Sequence, residues 1–128
     1  MNYLLWILQG LLAVMMLVPG LLKLSNSNDE LKKKGDGRLD WADDVSSSQM
    51  KFIGLVEVLA GLGLILPQLL GTLPWLTPLA AVGVILTMIG AMILHIRRGD
   101  GAKALVINII ILLVAAFIAY GRIVIVPV

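Results

Sequence analysis

Residues 51–70 read KFIGLVEVLAGLGLILPQLL, and this stretch decides the class of fold. An α-helix needs roughly 20 residues to cross a hydrocarbon core of about 30 Å, which is the length of this stretch. Its charged residues are Lys51, at the first position, and Glu57. The stretch therefore predicts a transmembrane helix that carries one acid inside the membrane.

Three further apolar stretches have the same character, at residues 3–24, 75–97 and 102–121. The chain of 128 residues is 59% hydrophobic and 14% charged, whereas a soluble domain carries about 25% charged residues. Because short connections join the last three stretches, neighbouring helices must be antiparallel. We therefore predict an all-α membrane protein, a single domain over residues 1–128 whose four transmembrane helices form an antiparallel up-down bundle.

The long polar segment at residues 25–50 is predicted to be a loop outside the membrane. Asp40 is in position to cap a short amphipathic helix whose Trp41, Ala42 and Val45 share one side. We expect this helix to lie on the membrane surface, which makes Trp41 a candidate for interface contacts.

Basic residues indicate the orientation of the bundle. Positive residues are enriched in the cytoplasmic loops of membrane proteins. Here Arg122 is the one basic residue on the side of the two termini, and the other nine lie on the side of the long loop. The distribution predicts that the loop is cytoplasmic and that both termini are outside. The nine are Lys23, Lys32, Lys33, Lys34, Arg38, Lys51, Arg97, Arg98 and Lys103.

Several classes of chemistry are excluded by composition. The chain has no cysteine, which excludes disulfides, thiol redox chemistry, c-type haem attachment and cysteine-bound metal. A single histidine makes a metal site unexpected, and the basic residues at segment ends indicate membrane orientation rather than nucleic-acid binding. No dinucleotide fingerprint or pair of haem-ligating histidines is present. We do not expect an enzyme that acts on its own.

Glu57 is the residue that most needs an explanation. A charge near the bilayer centre costs on the order of 2.5 to 3.5 kcal/mol, and an acid there usually marks a functional site. Gly54 and Gly61 lie on the same side of the helix, so Glu57 is expected to face the bundle. Two roles remain open: a proton-carrying group in a ligand site, or a structural ion pair with Lys23 or Lys51.

Polar residues of the other helices lie at a similar depth. Lys23 ends the first span, His95 and Arg97 end the third, and Asn108 lies about six residues into the fourth. Thr87 is eight residues before His95 and so shares its side of the helix. Each has a simpler explanation, since such residues also serve as interface anchors or as contacts between helices.

The chain end after the fourth span is apolar from residue 123 to residue 128. This segment either extends the helix or folds onto the interface. If the helix continues, Arg122 lies inside the outer leaflet and either needs a partner or must snorkel to the interface. It can pair with Gln9 only when it is drawn inward. Arg122 is otherwise a candidate for interface contacts.

Small residues predict where helices approach each other. Gly54 and Gly61 are seven residues apart, as are Gly83 and Gly90, and this spacing fits close crossings in a bundle.

A series of short motifs at helix ends resembles the DoxX-like family across nearly the whole chain. The resemblance implies a small bacterial membrane protein with four spans, in the cytoplasmic membrane. Related members are named for a subunit of a thiosulfate:quinone oxidoreductase or described as redox-associated, and the polar set that carries over is Lys23, Glu57, His95, Arg97 and Arg122. The motifs are Gly20-x-x-Lys23, Gly54-x-x-Glu57, Leu66-Pro67, Pro78-Leu79-Ala80-Ala81, His95-x-Arg97-Arg98 and Tyr120-Gly121-Arg122.

Two functions from different classes follow. The first is a redox-associated subunit with a site inside the bundle for a quinone or other lipophilic ligand such as a lipid, in which Glu57 carries a proton and His95 or Lys23 tunes it. The second is a non-catalytic scaffold or accessory subunit that assembles as a homo-oligomer or with a redox partner protein. A transporter is not favoured, because discontinuous helices and paired repeats are not evident.

Overall fold

A computed structural model describes residues 1–128 as an all-α protein, which confirms the predicted fold class. A 3₁₀ turn, Asp40–Asp44, lies in the long loop, and a π-helical segment, Gly121–Ile125, follows the last α-helix. The five α-helices are α1 (Asn2–Ser25), α2 (Asn28–Gly35), α3 (Ser47–Leu70), α4 (Leu76–Arg98) and α5 (Ala102–Tyr120).

Four of these helices, α1, α3, α4 and α5 with its π-helical extension, are long and apolar enough to cross a membrane. Each contributes to one buried apolar core, represented by Leu12, Leu64, Val84 and Ile118. Large aliphatic side chains also cover the outside of the bundle. An apolar exterior around an apolar core is what a bilayer requires, because lipid tails are as apolar as leucine.

Helices α1 and α3 approach closely where glycines remove the side chain. A Cβ atom on Gly54 would lie 2.9 Å from the carbonyl oxygen of Gly20, and one on Gly61 would lie 2.6 Å from Leu17 Cγ. The predicted close crossing is therefore present for Gly54 and Gly61. It is absent for Gly83 and Gly90, which have no heavy atom within 4 Å of such a Cβ and so open toward the outside of α4.

A proline inside α3 explains how α4 is attached to it. Pro67 has no N–H to give to the carbonyl of Gly63, one turn earlier. The hydroxyl of Thr77, which is fully buried on α4, donates to that carbonyl at 2.9 Å. The missing backbone bond of one helix is thus replaced by a bond to the next.

The loop is more ordered than the sequence analysis predicted. Two capping boxes, one from Ser27 to Glu30 and one from Ser46 to Gln49, begin α2 and α3. Consequently α3 begins at Ser47, before the predicted position 51. The short segment at Trp41 is a 3₁₀ turn that Leu39 precedes, and the predicted cap by Asp40 is wrong, because no side chain caps that turn.

The loop packs down on the end of the bundle through a small apolar cluster. Leu31, Ala42 and Met50 are buried together, and Trp41 packs against them. Asn28 donates from Nδ2 to the carbonyl of Val45 at 2.9 Å and ties α2 to the start of α3. This docking holds Trp41 at the loop-side end of the helices.

Candidate functional site

Glu57 faces the inside of the bundle and forms an ion pair there. Lys23 Nζ lies 2.6 Å from Glu57 Oε1, and the two side chains are only 10% and 7% exposed. The glycine contact between α1 and α3 sets this distance, since Gly54 and Gly20 bring the two helices together one turn away. Of the two partners considered for Glu57, the structure selects Lys23.

Lys51 has a different role at the same end. Its Nζ donates to the carbonyls of Lys23, Leu24 and Asn26, at 2.8, 3.2 and 2.6 Å. These carbonyls end α1 and have no partner within the helix. Lys51 therefore caps α1 from α3 and is not available to Glu57.

A pocket of about 470 Å³ lies between the loop and the loop-side ends of α4 and α5, and we call it the loop-side pocket. It brings two predicted site residues, His95 and Asn108, next to Trp41. Glu57 and Lys23 do not line it. The lining residues are Gly37, Arg38, Asp40, Trp41, His95, Arg98, Asp100, Lys103, Ala104, Ile107 and Asn108.

His95 is oriented by an acid from the turn after its own helix. His95 Nδ1 lies 2.7 Å from Asp100 Oδ2, and because a carboxylate only accepts, Nδ1 carries the proton. This bond, with a second from Arg98 Nε at 3.0 Å, holds the pKa of Asp100 below its ordinary value. The ring nitrogen Nε2 is left free to accept or exchange a proton.

The charges around the pocket join it to the loop. Arg98 also pairs with Asp44 of the 3₁₀ turn at 3.0 Å, so α4, the turn after it and the loop share one charged network. Arg38 and Lys103 line the pocket without an ion pair to any carboxylate. The pocket is therefore lined by charged residues of both signs: Arg38, Arg98 and Lys103, with Asp40 and Asp100.

Asn108 gives the pocket a buried donor. The residue is 7% exposed, and its Nδ2 has no hydrogen-bond partner. A buried N–H without a partner costs about 1 to 3 kcal/mol, so such groups usually serve a ligand or an ordered water. On the same helix, Ile107 lines the pocket and is 56% exposed, which opens that wall toward lipid.

Trp41 connects the ion pair to the pocket. Its ring centroid lies 5.7 Å from Lys23 Nζ, and the residue also lines the loop-side pocket. Glu57 and His95, which were predicted to share one site inside the bundle, are therefore separate in the structure, and Asn108, predicted at a similar depth, lies with His95. Glu57 forms a closed contact with Lys23 between α1 and α3. His95 and Asn108 lie at an opening beside α4 and α5.

Two predicted site residues are in neither group. Thr87 is half-buried, and its hydroxyl donates to the carbonyl of Gly83 in its own helix at 2.9 Å. Arg97 is exposed and is neither in an ion pair nor in the pocket lining. Its neighbour Arg98 lines the loop-side pocket instead, although Arg97 was the residue predicted for the site.

A second polar group lies at the opposite end of the bundle, and we call it the terminal-side network. Arg122 is 1% exposed; its Nε donates to Gln9 Oε1 and its Nη1 to Asn2 Oδ1, both at 2.7 Å. The guanidinium carbon lies 5.3 Å from the ring centroid of Trp6. Arg122 is thus drawn inward and does pair with Gln9, the condition that the sequence analysis set for this contact.

Gln9 fixes the orientation of this network. Its Nε2 donates to the carbonyl of Leu64 at 2.7 Å and to Gln68 Oε1 at 3.1 Å. The amide oxygen is therefore turned toward Arg122. The network joins α1, α3 and the π-helical segment after α5.

Some of these residues escaped the sequence analysis. The approach of Asp100 to His95 has a local signal, since Gly99, with a φ of 72°, ends α4 and turns the chain back. Arg38 and Lys103 have no such signal. The docked loop places Arg38 at the pocket, and the packing of α5 beside α4 places Lys103 there.

Comparison with known proteins gives one match. A family model described as the DoxX-like family matches residues 7–118, which is most of the chain. No curated protein and no solved structure matches.

Proposed function

The chain belongs to the DoxX-like family, and from this we propose that it is a redox-associated membrane subunit that binds a lipophilic ligand of the quinone class in the loop-side pocket. The observation that carries the proposal is Asn108, a buried donor without a partner beside a pocket of about 470 Å³. A pocket of this size falls within the range of small-molecule sites, about 300 to 1,000 Å³.

The lining suits an amphiphilic ring. Quinone carbonyls accept hydrogen bonds, which a protonated His95 Nε2 can donate. Asn108 Nδ2 has no exposed surface, and it can donate after its amide turns toward the pocket. Trp41 offers an aromatic face for the ring. The exposed side chain of Ile107 lets an isoprenoid tail extend along α5 into lipid.

His95 is the residue that we assign to proton exchange. Reduction of a quinone to a quinol takes up two electrons and two protons. His95, held by Asp100, can pass protons at Nε2 and regain them from the loop side. The chain has no electron carrier of its own, so the electrons come from a redox partner protein. In this proposal Glu57 holds α1 and α3 together through Lys23 and does not exchange protons.

Quenching of Trp41 fluorescence tests the proposal. In a W6F/W75F background Trp41 is the one remaining tryptophan, and decylubiquinone is titrated into protein in lipid nanodiscs. We expect saturable quenching that Asn108→Ala weakens about tenfold, the cost of one lost hydrogen bond to a buried donor. Thr87→Val, on the same bundle outside the pocket, is the matched control and should leave the affinity unchanged. Linear quenching that is equal in all variants would overturn the proposal.

The second candidate, an accessory subunit without a ligand, is supported by the closed contact between Lys23 and Glu57. In this proposal the chain assembles as a homo-oligomer or with a redox partner protein. Photo-crosslinking from Trp41 replaced by a benzoyl-phenylalanine in native membranes tests it. A partner band together with no quinone binding would select this candidate; no band on any membrane protein would exclude it.

A further inference from the structure

Arg122 is a buried cation without a counter-ion. Its acceptors, Gln9 Oε1 and Asn2 Oδ1, are neutral amide oxygens, and its Nη2 is buried with no partner. The guanidinium forms no salt bridge with any carboxylate of the chain. A buried charge normally requires a partner of opposite sign, because it has lost its hydration.

No Asp or Glu side chain of residues 1–128 lies at this end. The chain has eight Asp and Glu residues. Seven lie in the long loop or in the turn after α4, at the loop-side end, and the eighth, Glu57, is paired with Lys23. No Asp or Glu side chain of residues 1–128 therefore neutralises Arg122, and an anion from the surroundings can take that place.

The amide oxygens of Gln9 and Asn2 accept from Arg122 and hold its guanidinium in one orientation. Gln9 is held by its bonds to Leu64 and Gln68, so its oxygen cannot turn away from the guanidinium. Nε and Nη1 are occupied, and Nη2 is the donor that remains. A planar guanidinium with a free N–H is well suited to phosphate oxygens.

The depth of the site indicates which anion is available. Tyr3 is 84% exposed and Tyr120 is 57% exposed, and both belong to the same end of the bundle as Arg122. Exposed aromatic residues at the ends of membrane helices lie at the level of the lipid headgroups. Headgroup phosphates therefore lie at the depth of the terminal-side network.

We propose that Arg122, held in place by Asn2 and Gln9, binds the phosphodiester of an anionic phospholipid through Nη2, in the leaflet at the terminal side. Arg122 belongs to the π-helical segment Gly121–Ile125, and because its Nη2 has no exposed surface, a phosphate reaches it only when the side chains that cover it move aside. Residues 123, 124 and 125 of that segment are exposed to lipid. π-helical turns are rare and occur frequently at functional sites.

Thermal unfolding in a phosphate-free maltoside detergent tests the proposal. Dioctanoyl-phosphatidylglycerol should stabilise the protein in a saturable way, and dioctanoylglycerol, which has the same chains without phosphate, should not. Inorganic phosphate is the third probe. If it protects as well as the lipid, the source is free phosphate, and the assignment to a lipid is wrong.

Variants locate the effect. Arg122→Gln should weaken the binding of phosphatidylglycerol about tenfold to a hundredfold, which is the effect of one charge-assisted hydrogen bond. Arg97→Gln removes an exposed cation at the other end and is the matched control, which should keep the full response. Equal loss in both variants would show a non-specific attraction and overturn the proposal.

A further variant keeps the test valid if Arg122→Gln does not fold. Asn2→Asp places a carboxylate at the atom that already receives Arg122 Nη1, and so supplies the counter-charge from within. We expect this variant to fold and to lose its response to phosphatidylglycerol. An unchanged response in Asn2→Asp would refute the site.

Discussion

Removal of either member of the ion pair between Lys23 and Glu57 should destabilise the bundle, whereas removal of both should not. At 2.6 Å, and with an effective dielectric constant of about 20, two unit charges attract each other by about 6 kcal/mol. Desolvation of the two buried ions offsets most of this attraction. A single variant keeps the desolvation cost of the remaining ion and loses the attraction, and we expect a loss of about 3 to 5 kcal/mol.

The two single variants should differ in a defined direction. Lys23 lies in the last turn of α1, and its long side chain can turn toward water when Glu57 is absent. Glu57 is short and lies well inside α3. Lys23→Met should therefore destabilise the bundle more than Glu57→Gln. For Glu57→Gln we expect a loss of unfolding free energy of about 3 kcal/mol or less.

The assay is reversible unfolding by sodium dodecyl sulfate in mixed micelles, for both single variants and for Lys23→Met/Glu57→Gln. We expect the free energy of unfolding of the double variant to lie within about 1 kcal/mol of that of the original protein. The coupling energy between the two residues should be at least about 2 kcal/mol. Glu57→Gln should keep the quenching of Trp41 by decylubiquinone. Single losses that add within about 0.5 kcal/mol would refute the ion pair, and loss of quinone binding in Glu57→Gln would return the acid to the ligand site.

Three further predictions concern packing, a single hydrogen bond and pH. Gly54→Ala should destabilise the bundle by about 1 to 3 kcal/mol, because the added Cβ meets the backbone of Gly20 at 2.9 Å. Gly90→Ala, with open space around it, should change the free energy of unfolding by less than about 0.5 kcal/mol. Equal values in the same unfolding assay would contradict the close crossing. Thr77→Val leaves the carbonyl of Gly63 without its donor and should cost about 1 to 3 kcal/mol, which a denaturation midpoint equal to that of the original protein would disprove. The bond from His95 lowers the pKa of Asp100 in the folded protein. The ionised carboxylate therefore adds to the free energy of unfolding above the ordinary Asp pKa of 3.8. This contribution disappears as pH falls from 3.8 through the lower pKa of the folded state. Thermal unfolding from about pH 6 to about pH 3 should show this loss, and Asp100→Asn should flatten that part of the profile; an identical profile in the variant would show that the bond is not formed.

Much of the architecture was predictable because a bilayer leaves few choices. Hydropathy and length are properties of each segment alone, and the four spans follow from them without knowledge of their neighbours. The inward orientation of Glu57 was predictable too, since Gly54 and Gly61 mark the packed side of a regular helix. The start of α3 at Ser47 had a local signal in the box from Ser46 to Gln49, which the sequence analysis did not use.

The partners of the polar residues were not predictable in this way. Lys23, Lys51 and Arg97 all lie at helix ends at similar depth, and their long side chains can reach several targets. The choice of Lys23 for Glu57, and of Lys51 for the end of α1, depends on the angle and contact between α1 and α3. The glycine spacing in α4 shows the same limit, because Gly83 and Gly90 follow the heptad pattern and yet contact no helix.

The sequence by itself therefore determined the membrane-spanning class, the family and the residues that are too polar for their depth. Only the tertiary structure decided that the acid in α3 is closed off by Lys23, that His95 and Asn108 belong to a separate pocket, and that Arg122 is buried among amides. The physical reason is that hydropathy and helical periodicity are set by residues near in sequence. A contact between polar groups depends on how whole helices are placed, and here those groups are as far apart as Gln9 and Arg122.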